Sequence, residues 1–119
     1  MPLSVSSQIE DNVAVLELKG ALTLGPSLNL LREAARAALD SQKLVGIILR
    51  LAGVTIVDTS GLGELTVVYT FAARRSCSIV LVDVSQSLRK MLEMTRLEAI
   101  LPSAPDLVSA KKQFRSARA

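Results

Sequence analysis

The chain has 119 residues, half of them apolar, with a mean hydropathy of +0.41, and such a chain is expected to fold as one domain around one core. Its 14 Lys and Arg outnumber 11 Asp and Glu for a formal charge of +3, and it holds no histidine and one cysteine, Cys77. That inventory excludes Ser-His and Cys-His nucleophilic sites, argues against a zinc site, and with only Tyr69, Phe71 and Phe114 as aromatics offers single-stranded nucleic acid no stacking platform.

The apolar runs, such as Leu44–Leu49, are far shorter than the roughly 20 residues a membrane span needs. Met1-Pro2-Leu3-Ser4 has neither a basic flank nor an apolar core, so no signal peptide is expected. With a lone cysteine, a cytoplasmic protein is the simplest expectation.

In chain order, Ser4–Ile9 reads as an edge strand and Val13–Leu18 as a nearly continuous apolar strand, joined as a hairpin through Asp11-Asn12. Gly20 is expected to close the second strand. Thr23–Ser27 read as a loop, with Pro26 suited to a helix first turn. Leu28, Leu31, Ala35, Ala38 and Leu39 then recur at helical spacing, with Arg32, Glu33 and Arg36 turned outward. Leu44–Leu49 is a third strand, apolar on both faces, which belongs in a sheet covered by helices.

A second helix carries Leu62, Leu65, Val68, Tyr69 and Ala72 inward, and Arg74-Arg75 near its end suit the helix dipole. Ser78–Val82 is a fourth strand, beside which Cys77 reads as a small buried hydrophobe. Ser85–Met94 is a third helix with Leu88, Met91 and Leu92 inward. Ala99-Ile100-Leu101 reads as a short fifth strand. Pro105 and Asp106 open a last helix whose buried stripe is Leu107, Ala110 and Phe114.

Two strands, three helix–strand units and a terminal helix predict one α/β domain, a mixed four- to five-stranded sheet covered by about four helices, with right-handed crossovers. The core spans about 4–114, and 115–119 form a basic tail. Lys111, Lys112, Arg115 and Arg118 are either a solvated helix face and frayed tail or an attraction for an acidic partner or anionic surface.

Within this order one stretch stands apart, Val57-Asp58-Thr59-Ser60-Gly61-Leu62-Gly63-Glu64-Leu65-Thr66. An apolar run ends at Val57, three short hydrogen-bonding side chains follow, and a helical pattern begins. Side chains of this type accept bonds from the unpaired amides of a helix start, where partial positive charge also favours an anion. The chemistry suits a plain helix cap or a hydroxyl that becomes a phosphate. Gly61-x-Gly63 does not complete a dinucleotide fingerprint, because position 66 is Thr, and no GxxxxGK occurs. Ser60 is expected to cap the helix while Thr59 presents its hydroxyl outward. Gly61 and Gly63 are expected to clear space for a partner, so that Val at position 61 would obstruct docking and leave the protein folded.

Leu51-x-x-Val54 followed by Val57-Asp58-Thr59-Ser60-Gly61-Leu62-Gly63 resembles the signature of the STAS domain, shared by sulfate transporters and bacterial anti-sigma factor antagonists. The resemblance, element order included, extends over nearly the whole chain. It implies that the residue directly after the Asp is phosphorylated, here Thr59, with Ser60 as the alternative. It also implies a partner-binding surface of Asp58, Thr59, Ser60, Gly61, Leu62, Gly63 and Thr23. The implied protein is a non-catalytic, monomeric anti-sigma factor antagonist without cofactor or metal. It would bind an anti-sigma factor that is also a serine/threonine kinase, be switched off by phosphorylation at Thr59, and be restored by a serine/threonine phosphatase, thereby regulating sigma-factor-dependent transcription.

The chain departs from that pattern in two places. Antagonists commonly carry Gly-Glu-Leu-Asp after the second strand, and Gly20-Ala21-Leu22-Thr23 lacks both acids. Relatives have Gly near the end of the third helix, whereas Thr95-Arg96-Leu97 must end it without the αL freedom of glycine. The missing acids and the basic balance leave a second expectation, a STAS subunit of an ABC-type lipid or anion transport assembly docked on an ATPase. A stress-signalling scaffold is a third.

Overall fold

The N-terminal hairpin starts the sheet. In the computed structural model of the chain, which describes residues 1–118 and side chains as far as Phe114, β1 (Ser4–Glu10) and β2 (Val13–Leu22) pair antiparallel. Asp11 and Asn12 between them have φ of 54° and 63°, the left-handed pair that a two-residue connection of matching twist requires. The strands β3 (Gly46–Val57), β4 (Ser78–Val82) and β5 (Ser103–Ala104) then add in parallel, giving the order β1-β2-β3-β4-β5. Parallel pairing needs crossovers, supplied by α1 (Leu30–Ser41), α2 (Thr59–Arg74) and α3 (Gln86–Thr95), and α4 (Leu107–Arg118) closes the chain. The five-stranded mixed sheet with four helices is the expected architecture.

Alternation along the central strands explains their unbroken apolar runs. Ile47 and Leu49 of β3, with Ile79 and Leu81 of β4, enter a core shared with α1, α2 and α3. Ile48, Val80 and Val82 enter a second core under α4, with Ala110 and Phe114. A helix layer therefore lies on each face, as runs apolar on both sides demand. Phe114 lies so close over Gly46 that a Cβ there would stand 2.5 Å from its ring.

Four local expectations need correction. First, β2 and β3 run past Leu18 and Leu49 to Leu22 and Val57, side by side throughout. Register shifts at Glu17/Lys19 and Gly20/Ala21 absorb the irregular sequence there. Gly20 lies inside β2 at φ +96°, where a Cβ would sit 2.4 Å from the Pro2 carbonyl oxygen, so it admits the N-terminus and does not close the strand. Second, α1 starts at Leu30 behind Asn29, and Pro26 stays in the preceding turn, while Leu28 packs half-buried on the core.

Third, Leu97–Ala99 is a turn of 3₁₀ helix and not strand. The Ile100 and Leu101 amides both donate to the Leu97 carbonyl, which buries Leu101, and the strand forms two residues later. Fourth, Arg96 does take the αL conformation, φ 60° and ψ 25°, at the end of α3, despite its Cβ.

Candidate functional site at the start of the second helix

Because β2 and β3 stay paired to Leu22↔Val57, the chain leaves the sheet at two adjacent points, the 23–29 loop and Asp58. Asp58 ties them together. Its Oδ1 accepts the Gly61 amide at 2.8 Å and its Oδ2 accepts the Leu24 amide at 3.1 Å, while its own amide donates to the Leu22 carbonyl at 3.3 Å. The Gly61 amide, then the Leu24 amide, hold its carboxyl below the usual carboxylate range. Thr23, adjacent to Leu24, is drawn to the same place.

Asp58, and not Ser60, is therefore the cap of α2. The backbone of Asp58 is extended, φ −109° and ψ −176°, whereas Thr59 and Ser60 already belong to the first helical turn. A cap must sit outside the helix, three residues before the amide it accepts. Freed from that task, Thr59 is exposed at the first helical position and Ser60 beside it is half-buried.

The two glycines divide. A Cβ on Gly61 would stand 1.9 Å from the Leu22 carbonyl oxygen, so the close approach it permits is internal to the protein. The expectation that Val at position 61 leaves the fold intact is thereby overturned. Gly63 faces open space, with nothing within 4 Å of a built Cβ. Leu62 is 4% exposed and belongs to the core. The outward part of the expected surface is thus Thr59 and Gly63, with Thr23, Asp58 and Ser60 half-buried.

Two features escaped sequence reasoning. Leu24, 77% exposed in the loop after β2, and Ile56, 59% exposed near the end of β3, flank the junction at Asp58. Behind the loop, Arg32 of α1 donates from Nε to Oε2 of Glu64 in α2 at 2.9 Å and from Nη2 to Oε1, a bidentate pair. Glu64 is the sole charged residue buried among the described residues, at 8% exposure. Arg32 is therefore half-buried at the α1–α2 seam and not turned outward. Leu24 sits in a loop without periodicity, and Arg32 and Glu64 are 32 positions apart, so neither had a local signal.

Lys111 is half-buried and Lys112 exposed, while the side chains of Arg115 and Arg118 lie outside the described residues. Among the described residues no cluster of three or more His, Cys, Asp and Glu is placed to hold a metal, and no helix is long and apolar enough to cross a membrane.

A five-stranded mixed sheet with a helix layer on each face, and a strand–helix junction capped by Asp58, make the chain a small α/β module. The STAS domain family model matches residues 4–110, and the chain belongs to that family. An anti-sigma factor antagonist from Mycobacterium paratuberculosis is similar in structure at 19% identity and a TM-score of 0.75, with 95% of this chain and 94% of that one covered. The Bacillus cell fate determinant SpoIIAA in its phosphorylated form is similar at 16% identity and a TM-score of 0.71, covering 92% and 98%. A sulfate transporter family protein from Wolinella succinogenes reaches 18% and 0.71, covering 91% and 88%. At such identities the likeness is one of fold. No curated protein matches the chain.

Proposed function

We propose that the chain is an anti-sigma factor antagonist, a non-catalytic cytoplasmic binding module whose switch residue is Thr59. The carrying observation is the exposed Thr59 hydroxyl at the first position of a helix already capped by Asp58. Capping of α2 thus falls to Asp58 and not to the acceptor. An anti-sigma factor kinase would transfer the γ-phosphoryl of ATP to Thr59 Oγ1, which gives up its proton as ADP departs, and a phosphatase would hydrolyse the ester. The phosphate brings about −1.5 to −2 charges. The positive end of α2 favours that charge and the neighbouring Asp58 carboxylate opposes it. Its main effect is therefore local, a bulky anion on the docking surface between Leu24, Ile56 and Gly63, and the fold survives.

Thr59→Ala is expected to bind the kinase partner constitutively and refuse phosphate. Thr59→Glu is expected to bind poorly, since one carboxylate imitates a phosphate only in part. Pull-downs with the partner, and mass spectrometry of the loop peptide after incubation with kinase and ATP, test both. Phosphate on Ser60 alone would move the switch by one residue.

A second reading, the STAS subunit of a transport assembly docked on an ATPase, is favoured by Ala21-Leu22-Thr23, which presents no acid beside the exposed Leu24. Absence of phosphate on both hydroxyls, together with capture of an ATPase subunit, would select it.

A further inference from the structure

Arginines gather at the other end of the helix layer. From Thr59 to Arg74 the axis of α2 runs about 22 Å at 1.5 Å per residue. There the C-terminal halves of α1 and α2 flank a cleft of about 210 Å³ lined by Arg36, Leu39, Asp40, Phe71, Arg74 and Arg75. Two of its guanidinium groups are already fixed. The Arg36 guanidinium carbon lies over the Phe71 ring, 4.8 Å from its centroid, within cation–π range. Arg75 donates from Nη1 to the Leu39 carbonyl at 2.8 Å and from Nη2 to the Asp40 carboxylate. Arg36 and Arg74 form no ion pair among the described residues.

The lining thus carries three cations against one carboxylate, an excess of two positive charges. Helix C-termini ordinarily repel anions. Here three of the carbonyls near those ends are already occupied: Ala72 accepts from the Arg75 and Cys77 amides, Ala73 from the Ser76 amide, and Leu39 from the Arg75 guanidinium. The cleft is then lined by three guanidinium groups and the Asp40 carboxylate, which Arg75 binds, with Leu39 and Phe71 as its apolar part.

We propose that this cleft is an anion site, separate from the switch, which takes a phosphate-class oxyanion of two or more negative charges, free or carried by a nucleotide. Guanidinium forks match the oxygen spacing of phosphate, and pre-oriented forks lose little freedom on pairing. The excess charge matches a diphosphate or a dianionic monoester.

The test is an NMR titration of the isotope-labelled full chain, at constant ionic strength, with pyrophosphate, with ADP and with a triglutamate peptide. Pyrophosphate is expected to shift the amides of residues 36–40 and 71–76 saturably while sparing 59–66. Arg36→Gln and Arg74→Gln should each weaken it about tenfold, the usual effect of losing a charge-assisted bond. ADP binding more tightly than pyrophosphate would support a nucleotide as the source, and equal affinity a free polyphosphate. Shifts that do not saturate, affinity unchanged in the Arg36→Gln/Arg74→Gln double variant, or a preference for triglutamate would each overturn the proposal, the last by making the cleft a docking surface for an acidic protein.

Discussion

The Asp58 carboxylate accepts one bond from the 23–29 loop and one from the first turn of α2, and both favour the ionised form, so its protonation is linked to the stability of the junction. A group whose folded pKa is depressed contributes stability that is complete above its unfolded value, about 3.9, and is lost as pH falls through the lower folded value. Asp58→Asn keeps the shape and removes the charge. Its unfolding midpoint in urea should lie below wild type near neutrality, and the gap should narrow as pH falls from about 4 to about 2. A constant gap across that range would show that the charge is irrelevant. Gly61 and Gly63 offer a sharper contrast. Gly61→Ala must displace the Leu22 carbonyl, and is expected to cost about 3 kcal/mol or prevent folding. Gly63→Ala adds a methyl to open helix surface and should stabilise by about 0.5–1 kcal/mol. Thermal melts of the two variants decide this, and the stable Gly63→Ala protein then reports on docking alone. Burial pushes the Cys77 thiol up to about 11, so an aromatic disulfide reagent near neutral pH should label it only at the rate at which the protein opens.

At the scale of elements, legibility followed locality. The stripes of α1, α2 and α3 and the apolar runs of β3 and β4 were readable because their periods repeat within a single element. The continuation of β2 and β3 through Lys19, Gly20 and Gly53 was not, because a polar residue and glycines break the period while parallel pairing carries both strands on. Asp58 was recognised as part of the helix start, but the choice between Asp58 and Ser60 as cap depends on where the extended backbone ends, one or two residues that no propensity fixes. The Arg32–Glu64 pair is legible only once α1 lies against α2. Its bidentate geometry makes Arg32→Lys a non-conservative change: a single ammonium cannot satisfy both carboxylate oxygens, and Glu64 remains buried. Gly46 and Phe114 form a second interlocked pair. Phe114→Ala is expected to cost about 3 kcal/mol or more by emptying the smaller core. Gly46→Ala should also destabilise, but less in a Phe114→Leu background, where the ring that it strikes is gone. Chemical denaturation of the four proteins in this cycle measures the coupling, and strict additivity would mean that the ring moves aside without cost.

Across the whole molecule, stability should fall from the centre of the sheet toward the β5 edge. β3 is flanked by β2 and β4 and covered on both faces, and Ile47, Ile48 and Leu49 are fully buried. The segment from α3 to β5 is held more loosely. α3 buries only Leu88 and Leu92, the 3₁₀ turn after it buries none of its own residues, and β5 contributes two residues at the sheet edge. Arg96 in the αL conformation adds strain at that joint. Local opening follows buried apolar surface and backbone pairing, so 86–104 should open as a unit well below the global unfolding free energy. The proposed switch residue, Thr59, lies on the other side of this boundary. Asp58 and the first turn of α2 are anchored to β2 and β3, so phosphorylation at Thr59 would alter a surface on the stable part of the protein. Native-state hydrogen exchange at increasing denaturant should show amides of 47–50 exchanging only through global unfolding, with the steep denaturant dependence that large exposure brings. Amides of 86–104 should exchange through a shallower opening, and those of 61–68 should follow the central strands. One common dependence for all three groups would mean that the domain opens only as a whole, and early exchange of 61–68 would detach the start of α2 from its strand anchor.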